Sequence, residues 1–347
     1  MKVLGIETSC DECAAAVVED GRAVLSNIIM TQIPFHAPWN GVVPEIASRK
    51  HIEWIYEVTK EAIDMAGLTV SDIDAAAVTS RPGLLGSLLV GLSFAKAFAW
   101  ARDIPYIAVD HMLAHLYAPR LETGDQGSGE KPDYPFLGLL VSGGHTIICR
   151  ADNFDDITVL GTTIDDAAGE AFDKVAKHYN FGYPGGAVIE KMAKEGDSGA
   201  FRFPIPSLHK GSHRYDVSYS GLKNAVINQL DIFMKKKTPY TNEDIAASFQ
   251  KTAVDILLRA LFNAAEDTGL STIVAGGGVA ANSYLRSELS KQTRLRCIFP
   301  PLALCGDNAA MIAGIGYHYL ARGERSPLNE TASARVIGFK KKYPQQV

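Results

Sequence analysis

Residues 2–18 read KVLGIETSCDECAAAVV: an apolar run, a polar turn and a second apolar run. Two short apolar runs joined by a tight polar turn predict a β-hairpin. Residues 136–150, FLGLLVSGGHTIICR, repeat this layout around a glycine-rich turn. Because the same strand–turn–strand unit opens both halves of the chain, the sequence predicts an internally duplicated α/β protein with two lobes around a cleft.

The segments that follow each hairpin support this duplication. In the first half, a long helix is expected near 44–66, a buried strand at 75–79 and a helix rich in small residues at 84–102. In the second half, a strand at 272–275 leads into a glycine-rich turn, and another small-residue helix is expected at 306–314.

One polar, glycine-rich stretch, TGDQGSGEKPD at 123–133, is the best candidate for a linker between the lobes. The predicted organisation is an N-terminal lobe at 1–128, a C-terminal lobe at 133–325 and a tail at 326–347. Within the second lobe, residues 174–246 interrupt the repeated pattern and predict an inserted helical or loop subdomain.

Composition narrows the function classes. The chain has 347 residues, of which 47% are hydrophobic and 21% charged, and its formal net charge is −5. These values are typical of a globular protein and argue against a disordered chain or a basic protein that coats nucleic acid, so DNA is not an expected partner. The sequence predicts neither a signal peptide nor a membrane span, and its scattered cysteines are expected to be reduced thiols in the cytoplasm.

A pair of histidines is the first candidate site. His111 and His115 stand four residues apart, so both imidazoles lie on one face of a predicted helix and can reach one metal ion. Asp307 is a candidate third ligand, and a His₂Asp set suits Fe(II) or Zn(II). Spacing alone leaves a structural alternative open, in which the two histidines are ordinary polar helix residues and Asp307 caps the helix that follows it. Met112 stands where the zinc-protease motif H-E-x-x-H needs its glutamate base, so a simple protease is excluded.

Three turns are candidates for nucleotide binding: the glycine turns at 142–144 and 276–278 and the polar turn at 8–12. Backbone amides without bulky side chains let a phosphate approach closely. None of the turns has the G-x-x-x-x-G-K-[ST] pattern of a P-loop. Their recurrence in a duplicated frame favours a nucleotide-binding cleft.

Two charged groups have both a structural and a functional interpretation. Asp166, Glu170 and Asp173 share one face of a predicted helix. In the structural interpretation they are acids that stabilise the start of the helix through its dipole. In the functional interpretation Asp173 contacts ribose hydroxyls or a cation. A basic segment also interleaves cations with tyrosines, and it is either a charged surface or an RNA contact. Its members are His209, Lys210, His213, Arg214, Tyr215, Tyr219 and Lys223.

Short motifs occur in order along nearly the whole chain: IETSCDE at 6–12, HMLAH at 111–115, VSGGHT at 141–146, EAFDK at 170–174, YPGG at 183–186, SGLK at 220–223 and GGVAAN at 277–282. Through these motifs the sequence resembles the TsaD family, also called Gcp or YgjD, and its bacterial branch in particular. The resemblance implies the duplicated actin/Hsp70/sugar-kinase-like (ASKHA) α/β fold, with two lobes around a nucleotide cleft.

The same resemblance implies an activity. Members of this family transfer the threonylcarbamoyl group from threonylcarbamoyl-AMP to N6 of adenosine 37, in tRNAs that read codons starting with A. By motif match, His111, His115 and Asp307 are expected to bind one iron or zinc ion. The residues expected to bind the adenylate are Leu140, Val141, Ser142, Gly143, Gly144, Asp173, Gly186 and Asn282. ATP or ADP is expected in the same cleft, and Asp11 is a candidate proton acceptor for the N6 amine or an orienting group.

The family also implies partners besides tRNA. These are a TsaB-like paralogue that lacks the metal site and forms a heterodimer, and a TsaE-like ATPase. Two positions depart from the family pattern. Cys13 replaces the usual Thr, which is expected to affect only the turn, and Glu190 replaces an Asp, so its longer side chain puts a substrate contact there in doubt.

The main alternative function is that of an ATPase or phosphotransferase without RNA-modifying activity, because fold alone does not separate these classes. The histidine pair with Asp307 favours the transferase, since a kinase of this fold needs Mg²⁺ and phosphate contacts but no imidazole pair. An intact metal triad also argues against a non-catalytic scaffold.

Overall fold

The computed structural model describes residues 1–124, 131–206, 208, 211–235, 240–335 and 340–341. The strands are β1 (Lys2–Glu7), β2 (Glu12–Glu19), β3 (Ala23–Thr31), β4 (Ala75–Arg81), β5 (Tyr106–Asp110), β6 (Phe136–Val141), β7 (Thr146–Ala151), β8 (Ile157–Thr162), β9 (Thr272–Gly276), β10 (Arg296–Ile298) and β11 (Lys340–Lys341). The helices are α1 (Ile33–His36), α2 (Pro44–Met65), α3 (Leu85–Arg102), α4 (His111–Tyr117), α5 (Ala168–His178), α6 (Gly185–Ala193), α7 (Ser220–Lys235), α8 (Asn242–Thr268), α9 (Ser283–Ser290) and α10 (Ala309–Ala321).

The two sheets repeat one topology. The first has the strand order β3-β2-β1-β4-β5, in which the hairpin strands are antiparallel and β4 and β5 continue parallel to β1. The second has the order β10-β9-β6-β7-β8-β11, with the same antiparallel hairpin around β6 and the same parallel continuation through β9 and β10. The predicted duplication of an α/β unit is therefore confirmed.

Both faces of the first sheet are covered by helices. Side chains of α2 and α3 pack with alternate residues of β1, including Leu4 and Ile6. On the opposite face α10 approaches so closely that a Cβ at Gly5 would lie 2.2 Å from the carbonyl oxygen of Ala309. The small residues of α10 thus serve close packing against the strand.

The chain divides into two compact units, and the division differs from the predicted boundaries. The first unit contains Met1–Pro132 and the segment that starts at Pro300; the second contains Asp133–Phe299 and the strand β11. Residues 300–325 were expected in the second lobe, but α10 packs on β1 and returns this segment to the first unit. Most of the predicted linker lies outside the described residues, as does most of the tail beyond 335.

The predicted insertion at 174–246 does not form a body of its own. Its apolar residues, among them Ile189, Phe203 and Tyr219, share one buried core with Leu137 and Leu139 of β6. The segment is therefore an integral layer of the second unit. Within the described residues, no helix combines the length and the apolarity needed to span a membrane.

Candidate metal centre and ligand pocket

Helix α4 begins directly after strand β5 and carries the predicted histidine pair. Asp110 caps the helix, because its Oδ1 accepts hydrogen bonds from the backbone N–H groups of Met112 at 2.9 Å and Leu113 at 3.5 Å. His111 and His115 consequently lie one turn apart on one face, with ring centroids separated by 4.5 Å. Both imidazoles are buried.

Asp307 faces this pair. Its Oδ1 lies 3.3 Å from His111 Nε2 and 3.2 Å from His115 Nε2, and the two Nε2 atoms are 3.0 Å apart. The alternative in which Asp307 caps α10 is wrong, because Asn308 is the cap and its Oδ1 accepts the N–H of Met311 at 3.0 Å. The three predicted ligands therefore converge and can hold one metal ion.

Glu7 stands behind His111 and was not assigned to the site from the sequence. It ends β1, is fully buried, and places Oε2 2.9 Å from His111 Nδ1. The hydroxyl of Thr79 donates to the same oxygen at 2.5 Å, and the backbone N–H of Ser9 donates to Oε1 at 2.5 Å. A carboxylate on Nδ1 fixes the histidine tautomer and leaves Nε2 free to bind metal. The sequence feature that could have identified Glu7 is a carboxylate at the end of an otherwise apolar strand.

The charges of the site fit a divalent cation. Burial raises the pKa of both Glu7 and Asp307, but the facing His111 outweighs burial and holds each pKa below its ordinary value. At His111 burial lowers the pKa, but the two carboxylates outweigh it and raise the pKa well above the usual range. Burial and the neighbouring His111 lower the pKa of His115. When a metal ion takes the place of the proton on His111, both imidazoles are neutral, and the two carboxylates carry two negative charges that one divalent ion neutralises.

The spacing of the donor atoms also fits. Donor atoms about 2.1 Å from one ion are roughly 3.0–3.4 Å apart for octahedral to tetrahedral angles. The observed separations are 3.0, 3.2 and 3.3 Å. Three protein ligands leave coordination positions open, as in catalytic rather than structural sites, and both iron and zinc accept imidazole and carboxylate.

The predicted catalytic residue Asp11 lies in the β1–β2 turn of the same unit, where it is half-buried. The turn is fixed through its backbone: the N–H of Gln32 donates to the carbonyl of Asp11 at 2.9 Å, and His51 Nε2 lies 2.9 Å from the carbonyl of Cys10. Burial and the neighbouring Asp11 raise the pKa of Glu12 well above its ordinary value. The turn thus presents Asp11 from a rigid backbone.

The second unit contains a pocket of about 300 Å³. Four predicted adenylate-binding residues line it: Gly143, Asp173, Gly186 and Asn282. Glycine and apolar residues supply most of the remaining lining, and Glu190 adds a second carboxylate. A concave, mostly apolar site with a few polar groups is typical of small-molecule binding.

Several glycines of the pocket have no packing reason to be glycine. A Cβ at Gly143, Gly186 or Gly278 would meet no protein atom within 4 Å, and none of the three has a positive φ. Their missing side chains leave room for a ligand against the backbone. Gly277 is different, because its φ is +93° and a Cβ would lie 2.3 Å from the carbonyl oxygen of Val141.

The other predicted adenylate residues lie in strand β6 or in the turn that follows it. Ser142 and Gly144 flank Gly143 in that turn, where the Ser142 Oγ accepts the N–H of His145 at 3.1 Å. Leu140 and Val141 are buried in the core. Their side chains do not line the pocket, so a ligand contact by these two residues is left to their backbone.

Two pocket side chains also hold helices. Asp173 Oδ1 accepts the N–H of Gly185 at 2.8 Å, at the start of α6. Asn282 Oδ1 caps α9 by accepting the N–H of Leu285 at 2.9 Å, while its Nδ2 donates to Gln250 Oε1 at 2.9 Å. These bonds fix the orientation of both side chains in the pocket wall.

The two departures from the family pattern have different environments. Glu190 lines the pocket, and its Oε1 accepts hydrogen bonds from the N–H of Ser283 at 2.9 Å and its hydroxyl at 2.5 Å. Its carboxylate thus joins the pocket wall to α9. Cys13 was expected to affect only the turn, but it is buried in β2 and belongs to the core under α2 and α3.

The predicted charged groups are structural in the described residues. The basic segment is not a free cationic surface, because its cations face carboxylates: Arg214 with Asp267, His213 with Asp216 and Lys223 with Asp166. Tyr219 is buried and therefore unable to stack on a base. His209 and Lys210 lie outside the described residues. On the acidic face, Lys174 pairs with both Asp166 and Glu170.

Comparison with known proteins identifies relatives of the whole chain. The TsaD family model, described as tRNA N6-adenosine threonylcarbamoyltransferase, matches residues 23–314. The chain is 66% identical to the tRNA N6-adenosine threonylcarbamoyltransferase of Treponema denticola, over 99% of this chain and 100% of the relative. It is 56% and 52% identical to proteins of the same name from Treponema pallidum and Borreliella burgdorferi, over 99% of this chain and 95% and 96% of the relatives.

Solved structures support the fold. Full-length HypF in its phosphate- and nucleotide-bound form has a TM-score of 0.57 at 14% identity, over 94% of this chain and 56% of HypF. Component A of the (R)-2-hydroxyglutaryl-CoA dehydratase of Acidaminococcus fermentans has a TM-score of 0.53 at 13% identity, over 92% of this chain and 99% of that protein. These likenesses confirm the predicted duplicated fold of the actin/Hsp70/sugar-kinase class.

Proposed function

The chain belongs to the TsaD family of tRNA N6-adenosine threonylcarbamoyltransferases, and on this basis we propose that it transfers the threonylcarbamoyl group of threonylcarbamoyl-AMP to N6 of adenosine 37 in tRNAs that read codons starting with A. It is an acyltransferase, and tRNA is its substrate. The observation that carries the proposal is the triad of the buried His111 and His115 with the half-buried Asp307, which a phosphotransferase of this fold does not need.

The reaction exchanges one bond for another at the carbamoyl carbon. The adenosine N6 attacks this carbon, the bond from the carbon to the phosphate oxygen breaks, and AMP leaves. The amine gives up one proton, so the products are the modified adenosine, AMP and a proton. Because the mixed anhydride is already activated, the enzyme has to position the amine more than activate it.

We assign the adenylate to the pocket of the second unit. Its support is the room left by Gly143, Gly186 and Gly278, together with the fixed polar side chains of Asp173 and Asn282. Backbone N–H groups of glycine turns are suited to a phosphate that gains charge as AMP leaves. ATP or ADP shares the adenosine part and would use the same pocket.

His111, His115 and Asp307 would hold one iron or zinc ion, which when bound acts as a Lewis acid on the carbamoyl oxygen. The protein supplies the orientation. Glu7 fixes the His111 ring through Nδ1, and Asp110 caps the helix that carries both histidines. Burial of both imidazoles keeps bulk water away from their ring nitrogens.

Asp11 is the proposed proton acceptor for the N6 amine. What supports this role is a half-buried carboxyl group on a turn whose backbone is held by Gln32 and His51.

We propose that a TsaB-like paralogue and a TsaE-like ATPase assemble with this chain in the cytoplasm. The surface that supports a protein partner lies on α2 and α3, two helices of the first unit. Ile52 and Tyr56 of α2 and Leu85 and Leu89 of α3 are exposed. Large apolar side chains on the outer faces of neighbouring helices are typical of a helix-packing interface.

Nucleoside mass spectrometry tests the function. The full chain is incubated with threonylcarbamoyl-AMP, unmodified tRNA and the proposed partners, beside a His115→Ala variant. We expect N6-threonylcarbamoyladenosine with the wild type only. ATP hydrolysis without any modified nucleoside would support the phosphotransferase alternative instead.

A further inference from the structure

We propose that the segment between β3 and α2, residues 32–43, is a docking surface for tRNA, on which Phe35 and Trp39 stack unpaired bases next to the acceptor adenosine. The inference rests on the proposed function, because that function makes tRNA the substrate. The sequence offered the basic segment at 209–223 as a candidate RNA contact. In the described part of that segment, however, the cations pair with carboxylates of this chain.

The segment exposes two large aromatic side chains within five residues. Phe35 is 42% exposed and Trp39 is 61% exposed. Single-stranded RNA is recognised largely by stacking of unpaired bases on aromatic side chains. The bases around an adenosine that must leave its neighbours to react are such unpaired bases.

These side chains are presented by a rigid backbone. Pro34 and Pro38 restrict the backbone on either side of His36. The His36 ring is fully buried, where its Nδ1 accepts the N–H of Val43 at 3.3 Å and its Nε2 lies 3.2 Å from Gln32 Oε1. A preorganised surface loses little conformational entropy when a ligand binds, which favours recognition.

Phe35 is also supported from below by α2. Its ring lies 5.7 Å from the ring of Trp54, and Lys50 Nζ lies 4.6 Å from its centroid. The ring is therefore held in place while part of it remains exposed. Such an arrangement provides a fixed platform for one more aromatic plane.

The segment is joined directly to the turn that carries Asp11. The N–H of Gln32 donates to the carbonyl of Asp11 at 2.9 Å, and His51 at the second turn of α2 holds the carbonyl of Cys10 at 2.9 Å. An adenosine whose N6 approaches Asp11 therefore brings its neighbouring nucleotides over this segment. This continuity selects an RNA loop as the occupant.

The charges indicate how the RNA would bind. Lys50 pairs with Glu53 at 2.6 Å, and Arg49 pairs with Glu45 at 2.9 Å. Phosphate contacts here are consequently few, and stacking supplies most of the affinity. Ile52 and Tyr56 lie on another flank of α2, about 200° around the helix from Lys50 and Trp54 at roughly 100° per residue. The aromatic surface is thus distinct from the apolar face assigned to a protein partner.

The test compares Trp39→Ala and Phe35→Ala with Trp100→Ala, which removes an exposed tryptophan of α3 in the same unit. Binding of a fluorescent, unmodified anticodon stem-loop is measured for the full chain with its partners. KM is measured separately for tRNA and for threonylcarbamoyl-AMP. We expect about a ten-fold loss of tRNA affinity in the first two variants, the lower part of the range for losing one stacked base. The loss should persist at raised salt, and KM for the donor should not change.

Three outcomes would overturn the proposal. The first is that Trp39→Ala and Phe35→Ala each bind the stem-loop as tightly as Trp100→Ala does. The second is that both variants lose a protein partner while the stem-loop still binds, which makes the surface a protein interface. The third is that the affinity loss vanishes at raised salt, which excludes stacking. The binding assay reads docking without any transfer, so a wild type that binds the stem-loop through this surface but forms no modified nucleoside refutes the proposed function and leaves the docking surface intact.

Discussion

Glu7 shows how much a single buried carboxylate contributes to the candidate metal centre. Both of its oxygens are occupied, by His111 and Thr79 on one side and by Ser9 on the other. Its negative charge supports a positively charged neighbour, whether a protonated His111 or a metal-bound one. The residue therefore acts by positioning His111 and does not itself reach the ligand atoms.

Replacing Glu7 by Gln tests this role. The amide keeps the size of the side chain but removes its charge, so metal affinity is expected to fall about 10- to 100-fold. The measurement is a competitive metal titration against a chromophoric chelator. Thr79→Ser is the matched control, because it retains the hydroxyl that donates to Glu7. Equal affinity in Glu7→Gln and the wild type would contradict the role.

Gly186→Ala tests the pocket of the second unit. The added methyl group meets no protein atom, so it occupies ligand space without disturbing the fold. KM for threonylcarbamoyl-AMP is expected to rise at least about five-fold, since overfilling a packed contact costs about 1–3 kcal/mol.

The control is Gly221→Ala, at the equivalent second position of α7, where an added Cβ is also free of contacts and where the residue does not line this pocket. Both variants should be as stable as the wild type or slightly more so, because alanine favours helix over glycine. An unchanged KM in Gly186→Ala would place the adenylate elsewhere.

The candidate ligands were predictable from the sequence, but their supporting residues were not. His111 and His115 share a helix face by spacing alone, and Asp307 was already a candidate third ligand that the family resemblance favoured over a helix cap. Whether Asp307 or Asn308 caps α10 depends on backbone angles at the helix start, which residue identity does not decide. Glu7 lies more than a hundred positions from His111, so their contact required the register of the whole sheet.

Among the elements, the loop between β8 and α5 is fastened to the start of α7. Asp165 Oδ1 accepts the N–H groups of Tyr219 and Ser220, and Asp166 binds both Lys174 and Lys223. The SGLK motif at 220–223 thus serves, through Lys223 and the start of α7, to hold the loop that precedes α5. Since α5 carries Asp173, this fastening also fixes one wall of the pocket.

The fastening predicts a pH dependence of stability. Burial raises the pKa of Asp166, but hydrogen bonds from Lys174 and Lys223 outweigh it and hold the pKa below its ordinary value. A carboxyl with a lowered folded-state pKa stabilises the fold above its unfolded pKa of about 3.9, and that contribution is lost as the pH falls below this value.

The free energy of unfolding of Asp166→Asn should therefore differ less between neutral pH and about pH 3 than that of the wild type does. Urea unfolding at the two pH values measures the difference, and Asp152→Asn, which removes an exposed carboxylate from a surface pair, is the control. If the free energy of unfolding of Asp166→Asn changes between the two pH values as much as that of the wild type, Asp166 is excluded as a source of acid sensitivity.

The helices and strands themselves were predicted better from the sequence than the packing of one element against another. The hairpins and small-residue helices were visible as local patterns, because strand and helix periods differ. The packing of α10 was not visible, because its close approach to Gly5 joins positions about three hundred residues apart. The same limit explains why residues 174–246 looked like an insertion: their apolar side chains find their partners in β6, which precedes them by several elements.

For the whole molecule, the metal site links two distant parts of the first unit. Its ligands come from α4 and from the segment before α10, both of which belong to that unit. A ligand that binds only the folded state stabilises it by about 2.7 kcal/mol at a hundred times its Kd. Metal should therefore raise the unfolding temperature of the unit that contains the site.

Differential scanning calorimetry with and without a chelator measures this effect. We expect metal to raise the unfolding temperature of the wild type and to leave His115→Ala unchanged. A shift of equal size in His115→Ala would show that the ion acts elsewhere on the chain.

We propose that this chain transfers the threonylcarbamoyl group only when the triad holds a metal. The most direct measurement titrates metal into chelator-treated wild type and His115→Ala, and records bound metal and modified adenosine per chain in the same samples. We expect product formation by the wild type to rise in proportion to bound metal, and we expect the variant neither to retain metal nor to form product. Full transfer by metal-free wild type, or by His115→Ala, would contradict it.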